Sequence, residues 1–219
     1  MLRNGMTYYI DRHSKNVLEE EMNIFINMLE ILHLWEINNL RLNPTIYHYI
    51  KCNKAECLNL ENIFLYNTNL TGVNLIKANL KGTNLVETKL TRADLTGANL
   101  TGANLTRARL KGVDLIEAVL NGTKLIDAIL VDVDLINAKL TKADLTRAKL
   151  TKAKLIGADL TGADLTETDL AGATLIDTIF DINQIRLLER KYDLEKVKVY
   201  IDEGKIINYH EYKKSFMIK

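Results

Sequence analysis

The sequence predicts an all-β solenoid, and two regularities between about Leu58 and Ile182 predict it. From Leu60 to Leu175 a leucine occupies every fifth position without a miss, and Phe180 takes the next slot. From Leu70 on, two residues before each leucine stands a small side chain: alanine most often, as at Ala78, Ala93, Ala98, Ala103 and Ala138, otherwise threonine or valine, as at Thr83, Val113 and Thr123. A period of five is not helical, because five steps of about 100° spread the leucines around the whole cylinder. It is not a flat strand either, since alternation would send successive leucines to opposite faces. The leucines share one interior only if the chain turns once per repeat. No unit then buries its apolar face alone, and stacking supplies the core.

Between the small residue and the leucine, asparagine or aspartate is commonest. The blocks ADLTGANLTGANL (93–105) and ADLTRAKLTKAKLIGADLTGADL (143–165) resemble the pentapeptide-repeat family, whose consensus is A(D/N)LXX. The resemblance implies a right-handed quadrilateral β-helix with one repeat per side and twenty residues per coil. It covers about 125 of the 219 residues. An independent feature supports that coil: the residue after the leucine is isoleucine at Ile76, Ile116, Ile136, Ile156 and Ile176, a period of twenty that only Thr96 interrupts.

In chain order, residues 1–57 read as a helical N-terminal cap. Ser14 suits an N-cap, with Glu19, Glu20 and Glu21 near the positive end of the helix dipole. Leu18, Met22, Phe25, Leu29 and Leu32 form an apolar stripe behind it. Residues 58–182 are the solenoid. Its glycines after the centre, such as Gly72, Gly82 and Gly102, suit a corner that needs positive φ. Residues 183–219 read as a C-terminal helix and hairpin. Asp181 and Gln184 make a capping box, with Ile182, Ile185, Leu187 and Leu188 as the helix's apolar contacts. VKVYI (197–201), DEGK (202–205) and IINYHEY (206–212) then read as a β-hairpin. Both ends are expected to act as covers, because a bare coil exposes unpaired N–H and C=O groups.

Composition narrows the functional classes. The net charge is +1, so bulk attraction to nucleic acid or an anionic membrane is not expected. Cys52 and Cys57 do not make a persuasive disulfide, the start MLRNGMTYYIDRHSK lacks a secretory pattern, and no run of about twenty apolar residues exists. The reading is a cytoplasmic protein. His13, His33, His48 and His210 show no triad or zinc spacing, and His48 with Cys52 and Cys57 lacks a fourth ligand. No phosphate loop, dinucleotide fingerprint or nucleophile elbow appears. The sequence therefore predicts no catalytic residue, no metal and no cofactor.

What remains is the outer surface. On a four-sided coil one face carries the isoleucine stripe (Ile76, Ile116, Ile136, Ile156, Ile176) beside Asp94, Asp114 and Asp134. Another carries Lys89, Arg92, Arg109, Lys111, Lys149 and Lys152, opposed only by Asp132 and Asp169. The expected function is a non-catalytic protein–protein interaction or assembly module on a rigid rod. Its partner is another protein, a homodimer included, with no direct nucleic acid and no membrane. A branch of the same family implies the alternative: a DNA-mimicking dimer that binds a type II topoisomerase (gyrase) and confers quinolone protection. That needs a strongly acidic surface, whereas residues 58–182 hold 14 Lys and Arg against 15 Asp and Glu.

Overall fold

The structure, a computed structural model, describes residues 59–201 and 205–217. The chain divides into two units, Met1–Asn53 and Lys54–Lys219, and the described residues belong to the second. The N-terminal helical cap expected over 1–57 lies outside them.

Every ladder bridge of the solenoid joins a residue to the one twenty positions on, in parallel: Asn59 to Asn79, Phe64 to Asn84, Asn69 to Lys89, Asn74 to Asp94, and so onward to Asp159 with Ile179. Four such ladders run side by side, so the coil is quadrilateral. We number its faces by the leucine at their centre, Leu60 opening the first, Leu65 the second, Leu70 the third and Leu75 the fourth. Coils stacked about 4.8 Å apart make the six coils from Leu60 to Leu175 a rod on the order of 30 Å long.

The leucines from Leu70 to Leu170 are at most 4 % exposed, and each contributes roughly 1.5–3 kcal/mol by leaving water. The small residue two positions earlier also points inward. Where it is threonine, its hydroxyl does not go unpaired. Thr83, Thr88, Thr123, Thr168 and Thr178 each donate to the carbonyl of the leucine 23 residues earlier, at 2.7–2.8 Å. Among the described residues no buried side-chain polar atom lacks a hydrogen bond.

Each corner is a four-residue turn closed by an N–H donated to the leucine carbonyl three residues back, as from Ala98 to Leu95 at 2.9 Å. Its third residue has φ between 52° and 71° at every repeat. Glycine is not what makes the corner: fifteen of these residues are Asn, Asp, Glu, Lys or Arg, against nine glycines. Stacking recovers the left-handed strain at the polar corners. Glycine matters by contact at Gly82 and Gly157, where an added Cβ would collide with the Asn62 and Asn137 side chains of the preceding coil.

The asparagine and aspartate preference has a backbone cause. Their Oδ1 accepts the N–H two residues on, as from Thr96 to Asp94 at 3.0 Å, from Thr101 to Asn99 at 3.1 Å and from Ile136 to Asp134 at 3.2 Å. When that second residue is threonine, its hydroxyl donates to the same oxygen, as at Thr101, Thr106 and Thr146. The recurring Asn-Leu-Thr triplets are therefore turn chemistry.

At the C-terminal end, β1 (Ile179–Asp181) leads into α1 (Ile182–Leu188). β2 (Lys198–Ile201) pairs in parallel with β1, and β3 (Lys205–Asn208) pairs antiparallel with β2, followed by α2 (Tyr209–Met217). The expected capping box is present: Gln184 N–H donates to Asp181 Oδ1 at 3.0 Å, and Asp181 N–H to Gln184 Oε1 at 2.8 Å. The expected hairpin forms too, but its second strand ends at Asn208, and Tyr209 begins a helix where the sequence suggested strand. Leu187, expected to pack, is 57 % exposed; Ile185 and Leu188 take the inward side of the short helix, and position 187 falls outside their stripe.

This segment closes the solenoid by imitating the coil that is missing. In the repeat, Gly82 N–H donates to Thr101 C=O and Leu65 N–H to Asn84 C=O. At the last coil Gly162 N–H is met instead by the Asp181 carboxylate at 3.0 Å, and Leu170 N–H by the Tyr192 hydroxyl at 3.1 Å. These two edge groups are satisfied and sheltered from further strand pairing.

Candidate functional site

The interior offers no chamber. Leucines and small side chains fill it, and among the described residues no group of His, Cys, Asp and Glu could hold a metal ion. His13, His33, His48, Cys52 and Cys57 lie outside those residues. A shallow depression of about 330 Å³ sits on the C-terminal segment, lined by Glu195, Tyr209, His210 and Lys213. It is partly open to solvent. Lys213 is engaged across it with Glu189 at 3.2 Å and over the Tyr209 ring at 5.4 Å.

The side faces differ sharply from one another. On the third, the ladder runs Asn69, Lys89, Arg109, Ile129, Lys149, Asp169. Lys111 stands beside it, and Arg92 and Lys152 sit at the following corner with φ of 57° and 60°. All six predicted cations are exposed. None has an ion-pair partner among the described residues. Ile129 interrupts the column between Arg109 and Lys149, so the basic face is two patches rather than one band.

On the fourth face the ladder runs Asn74, Asp94, Asp114, Asp134, Lys154, Thr174. Two residues beyond each member stand Ile76, Thr96, Ile116, Ile136, Ile156 and Ile176. The four upstream isoleucines are half-buried against their neighbours, and Ile176 is 39 % exposed. Lys154 contacts Asp134 at 2.9 Å, and Asp134 is only 9 % exposed. Burial pushes the Asp114 carboxyl up from its usual range, and the charges of Asp94 and Asp134 on either side push it further, against the pull of Lys154.

The corner between the second and third faces was legible in the sequence but absent from the predicted sites. Glu87, Arg107, Asp127, Arg147 and Glu167 recur every twenty residues with alternating sign. Tyr66 donates to Glu87 at 3.1 Å, Arg107 meets Glu87 at 3.6 Å, and Arg147 holds Asp127 through two bonds of 2.7 and 2.8 Å. That fork lowers the Asp127 carboxyl and raises the Arg147 guanidinium. From Glu87 to Arg147 this edge pairs its own charges, whereas on the ladders of the third and fourth faces only Asp134 and Lys154 are paired among the described residues.

No helix among the described residues is long and apolar enough to cross a membrane. No curated protein matches the chain. Among solved structures, HetL, a pentapeptide repeat protein involved in heterocyst differentiation regulation from the cyanobacterium Nostoc sp. strain PCC 7120, is 33 % identical over 56 % of this chain and 65 % of its own, with a TM-score of 0.49. This chain thus spans just under two thirds of HetL. Rfr23 from the cyanobacterium Cyanothece 51142 is 34 % identical over 55 % of this chain and 88 % of its own, TM-score 0.40. QnrB1, a plasmid-mediated fluoroquinolone resistance protein, is 20 % identical over 73 % of this chain and 86 % of its own, TM-score 0.31. The family signature, pentapeptide repeats in eight copies, matches residues 58–85, 93–130, 128–166 and 143–181. With the twenty-residue ladders and the leucine interior, it makes this chain a member of the pentapeptide-repeat family, built as a right-handed quadrilateral β-helix.

Proposed function

We propose that the chain is a non-catalytic protein–protein interaction or assembly module that acts in the cytoplasm through the side faces of its solenoid. One observation carries the reading: the interior is filled with side chains, while the ladders of two adjacent faces present stacked charges that, Asp134 and Lys154 apart, form no ion pair among the described residues. A rigid rod displays such columns at fixed spacing without any ordering cost on binding, which favours recognition. A DNA-mimicking dimer that binds a type II topoisomerase would need a strongly acidic rod, and 14 cations against 15 anions over residues 58–182 weigh against it.

Cross-linking of the full chain in its own cells, followed by purification and mapping of the joined peptides, tests the reading. It expects one partner protein, or a second copy, joined to residues of the third or fourth face. Recovery of nothing beyond what a charge-matched globular control recovers would sink it.

A further inference from the structure

The fourth face sets two unlike columns in parallel. Asp94, Asp114 and Asp134 are successive ladder partners, with Lys154 next. Ile116, Ile136, Ile156 and Ile176 climb beside them, with Ile76 beyond the Thr96 gap. Lys154 answers only the last carboxylate, and neither Asp94 nor Asp114 has an ion pair among the described residues. At the same twenty-residue spacing the corner from Glu87 to Arg147 alternates its signs and pairs them, Arg107 with Glu87 and Arg147 with Asp127. Like charges stacked next to an apolar strip are therefore a local choice of this face, not a necessity of the repeat.

The C-terminal segment stacks on the end of the rod, with β2 on β1 and Asp177 N–H donating to Lys196 C=O at 2.8 Å, and Ile176 stays exposed.

We propose that this face docks an α-helical segment of a partner protein, one whose apolar stripe is flanked by a column of lysine or arginine. The proposal rests on the interaction-module reading and gives it a surface and a partner chemistry. Three features select that occupant. The solenoid's N–H and C=O groups along this face are spent between coils, as from Leu95 to Asp114 and from Asp114 to Ala93, so no strand can add to it and contact is by side chains alone. Spacing favours a helix: coils repeat about every 4.8 Å, a helix turns every 5.4 Å or so, and alternate residues of an extended strand lie about 6.7 Å apart. Over the three steps from Ile116 to Ile176 a helix drifts by roughly 2 Å and a strand by roughly 6 Å. Charge fixes the direction: the partner's cations must lie toward Asp94 and Asp114, and its apolar stripe on Ile116, Ile136 and Ile156. Burial first, and then the charges of Asp94 and Asp134, disfavour the Asp114 carboxylate, and a cation placed beside this column relieves that cost.

The test uses the full chain and a synthetic amphipathic peptide with lysines at i and i+4 beside a leucine stripe, labelled for fluorescence anisotropy. A scrambled peptide of equal composition serves as control. The designed helix should bind at least about tenfold tighter than the scrambled one. Asp94→Asn together with Asp114→Asn keeps the side-chain oxygen that accepts Thr96 N–H, and should weaken binding about tenfold while flattening its salt dependence. Ile116→Thr with Ile136→Thr and Ile156→Thr, the residue this column already holds at Thr96, should weaken it by a similar factor, circular dichroism confirming an unchanged fold. Lys124→Gln with Lys139→Gln, exposed cations of the second- and first-face ladders, should leave it unchanged. Equal binding of the scrambled peptide, or indifference to either fourth-face set, overturns the proposal. So does a carbodiimide cross-link from Asp94 or Asp114 to Lys15, Lys51 or Lys54 that the peptide fails to displace, because the chain's own N-terminal segment would then occupy the strip. A dimer in sedimentation equilibrium that the isoleucine substitutions dissociate overturns it too, in favour of a second copy. Cellular cross-links that map to the third face alone would overturn this assignment while leaving the interaction-module reading intact.

Discussion

The side-chain amide of Gln184 donates to the carbonyl of Leu160 at 2.6 Å, and the same nitrogen reaches the carbonyl of Ala163 at 2.8 Å. Within the repeat those two carbonyl positions are served by different donors. Thr83 Oγ1 serves Leu60, and Asn84 N–H serves Ile63. One glutamine at the start of α1 thus replaces an interior threonine and a ladder N–H together. Gln184→Ala should cost about 1–3 kcal/mol by leaving buried acceptors short of a donor. Urea midpoints measure this, and light scattering should show more end-to-end association as the coil edge loses its cover.

The leucine columns carry the stability. Leu115 and Leu135 are fully buried, and replacing either by alanine should cost about 2–5 kcal/mol in chemical denaturation. Thr161→Ala is the control, expected to move stability by less than about 0.5 kcal/mol, because Thr161 is half-exposed and its N–H keeps its acceptor on Asp159. Thr141 would be a poorer control, since its hydroxyl donates to Asn121 at 2.6 Å.

The buried threonines should behave as hydrogen-bonded core. Thr123→Val keeps the shape and removes the donor to Leu100, which also accepts from Ala103 N–H, so the expected loss is about 1 kcal/mol. A neutral or stabilised variant would mean the hydroxyl contributes nothing.

Asp114 should respond to pH in the opposite sense to an ion-paired carboxylate. Its folded-state pKa is raised, chiefly by burial, so protonation favours the native state and that benefit is lost as pH rises through the folded value. Asp114→Asn should therefore stabilise the protein at pH 7, by no more than about 0.5 kcal/mol for so exposed a charge, and the gain should vanish at acid pH. Denaturation curves at both pH values decide it.

Purified chain should leave the supercoiling activity of gyrase unchanged, with and without a quinolone, at concentrations that saturate an acidic duplex mimic. The expectation follows from the near balance of charge over residues 58–182. Inhibition or protection would revive the mimicry reading.

By itself the sequence determined the solenoid, because a period-five leucine can be buried only by a chain that turns once per repeat. It also determined which residues share a face, since a rigid twenty-residue coil turns sequence spacing directly into columns. Ile116, Ile136 and Ile156 with Asp94, Asp114 and Asp134 were readable in this way, and so was the capping box of Asp181 and Gln184. Only the tertiary structure decided what depends on side-chain reach across coils. It showed that Lys154 swings back to Asp134, that Arg147 forks onto Asp127, and that positive φ at the corners is borne mostly by polar residues rather than glycine. It also made Tyr209, inside the strand expected over 206–212, the start of a helix, and it set β2 in parallel on β1. Those outcomes rest on contacts between segments some twenty residues apart, where local propensity is a weak guide and the unmet N–H and C=O groups of the last coil decide.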